Sequence, residues 1–142
     1  MTLKGIASAV VGLIGSAISV LFGGWSTGLC TLLIFMCIDY ITGLIVAGVF
    51  KNSPKTQSGA LESRAGWKGL IRKGVTLLTV LIGYRLDLLL RTAYIRDAVT
   101  IAFITNEIIS ITENAGLMGI PMPEAIKKAI DILKGRQEEK NA

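Results

Sequence analysis

Between Gly5 and Phe50 the chain carries a single formal charge, Asp39. A tract of this length and apolarity is too long and too uniform for a helix in a soluble core, and it identifies a membrane protein. It also isolates Asp39 in that membrane. A charged side chain at bilayer depth costs roughly 2.5–3.5 kcal/mol on insertion scales. An acid kept there marks a polar path, a partner charge or an oligomer seam.

The rest of the composition agrees. Mean hydropathy is +0.60, and 51% of residues are hydrophobic, more than a soluble domain of this size tolerates. With no histidine, histidine-ligated metal sites and Ser/His or Cys/His catalysis are excluded. The sequence holds no glycine-rich phosphate loop, no metal-ligand cluster and no nucleophile elbow, so neither an enzyme nor a cofactor is expected. Cys30 and Cys37 lie about 10 Å apart along one helix, too far for a disulfide within it, and are expected to serve as small packing residues. Lys4 precedes the first apolar stretch as in a signal peptide. A second apolar stretch follows at once without a clear small-residue cleavage site, so retention is expected.

Hydropathy divides the chain into four candidate spans. Residues 5–22 form the first, with Ser8, Gly12 and Ser16 at four-residue spacing, a small-residue stripe of the kind that lets helices approach closely in lipid. Gly23, Gly24 and Gly28 break it, with Trp25 suited to the headgroup interface. Residues 29–50 form the second span, centred on Asp39. Residues 51–73 read as a basic loop, with Lys51, Lys55, Arg64, Lys68, Arg72 and Lys73 against one acid, Glu62. Residues 74–95 form a third span interrupted by Arg85, Asp87 and Arg91, in which Asp87 and Arg91 are spaced to pair on one helix face. Residues 98–115 form a fourth, containing Asn106, Glu107 and Glu113. Beyond Pro121 and Pro123, residues 124–133 read as an amphipathic helix with Ile126, Ala129, Ile130 and Leu133 on one face. It is expected to lie on the membrane surface, followed by a solvated tail. A second basic group, Lys127, Lys128, Lys134, Arg136 and Lys140, falls here.

The reading is therefore an all-α integral membrane protein of three to four transmembrane helices in one domain. The positive-inside rule places the 51–73 loop in the cytoplasm. Four crossings then put both termini and both basic groups on that side, whereas three would expose the C-terminal group outside. Positive charge in this setting reads as topology, and no nucleic-acid partner is expected.

Asp39, Arg85 and Glu107 fall near the midpoints of three different spans. Two arrangements fit. Asp39 and Arg85 neutralise each other within one subunit while Glu107 bonds to neighbours such as Thr79, or the charges face a lumen or one another between subunits. Asp39, Arg85, Asp87, Asn106 and Glu107 are the candidate polar seam.

Three stretches together carry a resemblance. They are Asp39-Tyr40-Ile41-Thr42-Gly43, then Gly66-Trp67-Lys68-Gly69-Leu70-Ile71-Arg72-Lys73 with Leu86-Asp87, and then Asn106 through Gly116 with Met118-Gly119 and Pro123. In this order and spacing they resemble the toxin-secretion/phage-lysis holins, the family that includes the clostridial toxin-export holin. The resemblance implies a homo-oligomer in the bacterial cytoplasmic membrane that forms lesions, catalyses nothing, and releases an endolysin or a toxin. Many holins begin with two nearby methionines that set lysis timing, but here the next methionine after Met1 is Met36. The alternative from another class is a small proton-coupled exporter. Small multidrug exporters, however, keep their acid in the first helix, which has no charge here from residue 5 to residue 22.

Overall fold

The computed structural model describes residues 2–142, apart from the side chains of residues 140 and 141, so the expected basic role of Lys140 lies outside the described residues. The described chain is all helical. Its elements are α1 (Leu3–Phe22), α2 (Thr27–Gly48), α3 (Ser63–Leu90), α4 (Ile95–Leu117) and α5 (Glu124–Asn141). Among the described residues, α1 and α2 are the two helices apolar enough throughout to cross a membrane by length and composition.

Local chemistry sets the helix ends. The Thr2 hydroxyl accepts from the Gly5 N–H at 3.2 Å, and the Ser26 hydroxyl accepts from the Leu29 N–H at 3.1 Å. Each satisfies a donor that the first helical turn leaves free. Gly23 ends α1 in the left-handed region, at φ 79°, where glycine carries no Cβ penalty. A Cβ there would also run into the Tyr84 ring on α3.

Contacts between helix ends show that α1 to α4 alternate in direction. At one end Arg96 Nη1 donates to the carbonyls of Phe22 (2.8 Å) and Gly23 (3.1 Å), and its guanidinium lies over the Tyr84 ring. At the other, Asn52 Nδ2 donates to the Leu117 carbonyl at 3.5 Å. Helix α4 is central and packs against α2, α3 and α5, while α1 packs on α3. The main core joins Leu29, Leu32 and Met36 of α2 to Val80 of α3 and Ile104 of α4.

Each central helix turns one stripe inward, spaced alternately by three and four residues. On α2 it runs Leu29, Leu32, Met36, Asp39, Gly43, Val46. On α3 it is Gly66, Gly69, Lys73, Thr76, Val80, Gly83, Asp87. On α4 it is Thr100, Ile104, Glu107, Ile111, Asn114. All of these are buried or half-buried. This 3–4 alternation is the seam of left-handed helix packing. The small residues on α3 permit close approach: a Cβ on Gly83 would lie 3.3 Å from the Arg96 Cα.

Several boundaries differ from the sequence expectation. Helix α3 begins at Ser63, eleven residues before the expected 74, and ends at Leu90 rather than 95. Only residues 49–62 are loop, so Arg64, Lys68, Arg72 and Lys73 are helical. The basic residues raised the polarity of 63–73, but no proline interrupts it, and helix propensity is indifferent to charge of this kind. Helix α5 runs on to Asn141, so the expected solvated tail is helical. It folds back along α4, with Ile130 buried and Leu133 reaching the main core. The docking stripe is Ile126, Ile130, Leu133 and Gln137, and Ala129 is exposed. Cys30 and Cys37 are exposed rather than packed.

Candidate functional site: a lysine held between two carboxylates

The polar seam is built around Lys73. Its Nζ donates to Asp39 Oδ2 at 2.8 Å and to Glu107 Oε2 at 2.7 Å. The three side chains come from α3, α2 and α4, and none is more than 16% exposed. The second oxygen of Asp39, Oδ1, accepts from Asn114 Nδ2 at 3.1 Å. The same amide also donates to the Asp39 carbonyl and to Thr42 Oγ1, and Thr42 Oγ1 donates back to the Ile38 carbonyl at 2.8 Å. Both Asp39 oxygens are thus satisfied, as a buried carboxylate requires.

Helix register explains the meeting. Asp39 is nine residues from the end of α2 at Gly48, Lys73 is ten from the start of α3 at Ser63, and Glu107 is ten from the end of α4 at Leu117. At 1.5 Å per residue all three sit about 14–15 Å from the same end of the bundle, on the inward stripe of their helices. The expected common height of Asp39 and Glu107 is therefore found.

Arg85 is not the partner of Asp39. It lies twelve residues beyond Lys73, about 18 Å along α3, off the inward stripe and exposed. The mistaken pairing follows from the mistaken start of α3: counted from 74, Arg85 is at the height of Asp39, and counted from Ser63 it is far past it. Glu107 likewise bonds to Lys73 rather than to Thr79, whose hydroxyl donates to the Val75 carbonyl. Lys73 was legible in principle. The stripe Gly66, Gly69, Lys73, Thr76, Val80, Gly83 places it among small and apolar residues at seam spacing.

Asp87 also departs from expectation. It does not pair with Arg91, which leaves the helix in the left-handed region at φ 55° and so loses the i,i+4 geometry. Instead Asp87 accepts from the N–H groups of Ile95 and Arg96, each at 2.9 Å, and from the Thr92 hydroxyl. It is an N-terminal cap for α4 supplied by α3. Asn106 is exposed and stands beside the cluster. Ser8, Gly12 and Ser16 are exposed on α1, and a Cβ on Gly12 would meet nothing within 4 Å, so among the described residues that stripe is left open.

A cavity of about 270 Å³ opens above the cluster. Asp39, Lys73 and Glu107 line it from α2, α3 and α4, and Lys55, Lys68 and Arg72 line it from the loop and the first turns of α3. Tyr40 stands beside it, donating its hydroxyl to the Gly66 carbonyl at 3.3 Å. The arrangement holds charge and admits water or a small polar group.

Residues 16–135 match the bacteriophage holin family. A probable holin of Bacillus phage phi105 is 31% identical over 110 residues, covering 77% of this chain and 76% of the phage protein. An uncharacterised protein of Halalkalibacterium halodurans is 39% identical over 132 residues, covering 89% of this chain and 92% of its own. An uncharacterised 14.9 kDa protein encoded in the nagH 3′ region of Clostridium perfringens is 35% identical over 126 residues, covering 87% and 89%. No solved structure matches. The chain belongs to the bacteriophage holin family, which is not a family of enzymes.

Proposed function

We propose that this holin-family chain crosses the bacterial cytoplasmic membrane four times, through α1 to α4, and oligomerises there to form lesions that release an endolysin or a toxin. The single observation that carries the reading is an inversion of polarity in α3 and its neighbours. Ile71, Val75, Leu78, Ile82, Leu86 and Leu89 of α3 are exposed, forming an apolar outer face suited to lipid. The ionised groups Asp39, Lys73 and Glu107 are turned inward. A soluble bundle has the opposite arrangement.

One lysine between two carboxylates leaves the seam with one negative charge in excess. Asn106 and Glu113, seven residues apart on α4, are exposed, as is the charged face of α5. These groups need water, and a lumen between subunits provides it. The free Ser8–Gly12–Ser16 stripe supplies a surface for a second copy. With the basic 49–62 loop and the first turns of α3 on the cytoplasmic side, the alternating helices put the N-terminus and the start of α5 there too.

Induced expression in a bacterium that carries a cytoplasmic endolysin tests the reading. Abrupt loss of membrane potential followed by lysis is expected. Unchanged viability with altered drug efflux would instead identify an exporter.

A further inference from the structure

The cavity above the Lys73 cluster has a charge balance and an unfilled hydrogen bond that the proposed lesion does not use. Its lining carries four cations, Lys55, Lys68, Arg72 and Lys73, against three acids, Glu62, Asp39 and Glu107. Lys73 is taken up by Asp39 and Glu107. The rim is left with three cations facing one acid, and the cavity as a whole with one uncompensated positive charge. Thr56 also lines the cavity, and its hydroxyl is buried without any hydrogen-bond partner. Buried hydroxyls are seldom left in that state.

We propose that this cavity binds the phosphodiester of an anionic phospholipid headgroup. One phosphodiester carries one negative charge, which balances the lining. Its free oxygens accept from Lys55, Lys68 and Arg72 in charge-assisted hydrogen bonds, and a χ1 rotation of Thr56 turns its unpartnered hydroxyl from the wall into the cavity as a neutral donor. The position suits a lipid. Helix α3 has 28 residues and so is about 42 Å long, some 12 Å more than a hydrocarbon core of about 30 Å. Its first turns, which carry Lys68, therefore reach the headgroup layer. The volume admits a headgroup and leaves the acyl chains outside, along the exposed Leu70 and Ile71. Basic pockets between transmembrane helices on the cytoplasmic side hold lipid headgroups by this chemistry. The inference rests on the membrane placement of this end of the bundle, and it is independent of whether the assembled protein lyses cells.

Native mass spectrometry of the full chain in a neutral detergent tests it, with phosphatidylglycerol or phosphatidylcholine added. One phosphatidylglycerol is expected to stay bound, with at least about a tenfold preference over phosphatidylcholine, the equivalent of one charge-assisted contact. Replacing the rim cations together (Lys55→Gln, Lys68→Gln, Arg72→Gln) abolishes that preference. Removing equal charge from α5 (Lys127→Gln, Lys128→Gln, Lys134→Gln) leaves it intact. Thr56→Val, which alters no charge, weakens retention a few-fold and decides the matter if the triple variant does not fold. Equal binding of the two lipids, or equal loss from the rim and α5 variants, overturns the proposal. Displacement of the lipid by millimolar inorganic phosphate overturns the lipid as occupant and assigns the anion site to a free phosphate. A failure here with lysis unimpaired removes the lipid site alone.

Discussion

Helices α1 and α4 sit at opposite extremes of the same bundle. Helix α1 has no charge from residue 5 to its end and has no buried residue; it packs on α3 and meets the rest of the bundle through Phe22 at its end. Helix α4 carries Asp97, Glu107 and Glu113, yet packs against three neighbours and supplies Thr100, Ile104, Thr105, Ile111, Asn114 and Ala115 to the interior. Apolarity thus identifies the helix best suited to face lipid. In a bundle whose outside is apolar, the helix that organises the interior is the more polar one, because only there do its polar groups find partners.

The sharpest way to break this comparison is to remove the charge at the centre of the interior. Lys73→Met leaves Asp39 and Glu107 facing each other without a cation. It should destabilise the protein in detergent by about 3–5 kcal/mol, as stranding a buried charge does, measurable by thermal unfolding. Arg85→Met, on the same helix but exposed, should leave the melting temperature unchanged. Equal effects would show that the two charges occupy equivalent environments.

The next effect tests packing. Gly83→Ala places a Cβ 3.3 Å from the Arg96 Cα and should cost about 1–3 kcal/mol through overpacking. Gly12→Ala, on α1, meets nothing and should leave monomer stability unchanged while shifting lysis timing or crosslinked oligomer yield. If Gly12→Ala destabilises the monomer and leaves assembly untouched, α1 belongs to the interior after all.

A smaller effect concerns the far end. Asp87→Asn keeps the shape but weakens acceptance from Ile95 and Arg96, and amide exchange in the first turn of α4 should accelerate. Exchange around Glu107 should not change. The smallest concerns timing alone. Asp39→Asn keeps an acceptor for Lys73 and should alter the lysis schedule while membrane insertion persists, as read by fractionation and turbidity. Wild-type timing at equal expression would remove Asp39 from the functional site.

Much of the architecture was legible residue by residue. The Gly5–Phe50 tract, the Gly23–Gly28 break and Pro121 with Pro123 bound α1, α2 and the α4–α5 connection to within a few residues, because hydropathy and glycine or proline chemistry act locally. Asp39 and Glu107 stood out because an acid in an apolar tract is costly wherever its partner lies. Lys73 did not, because its neighbours Lys68 and Arg72 made it look like one more residue of a basic loop. Asp87 has Arg91 at helix-pairing distance in sequence, whereas its partners are the backbone donors of the next helix.

The sequence alone determined the class of the protein, its most apolar helices and the presence of acids in apolar tracts, since each follows from short-range composition. Only the tertiary structure decided which cation neutralises Asp39 and Glu107, that α5 docks on α4, and that a cationic cavity closes over the cluster. Those outcomes depend on height along antiparallel helices. An error of eleven residues in one helix start shifts that height by about 16 Å, enough to exchange Lys73 for Arg85.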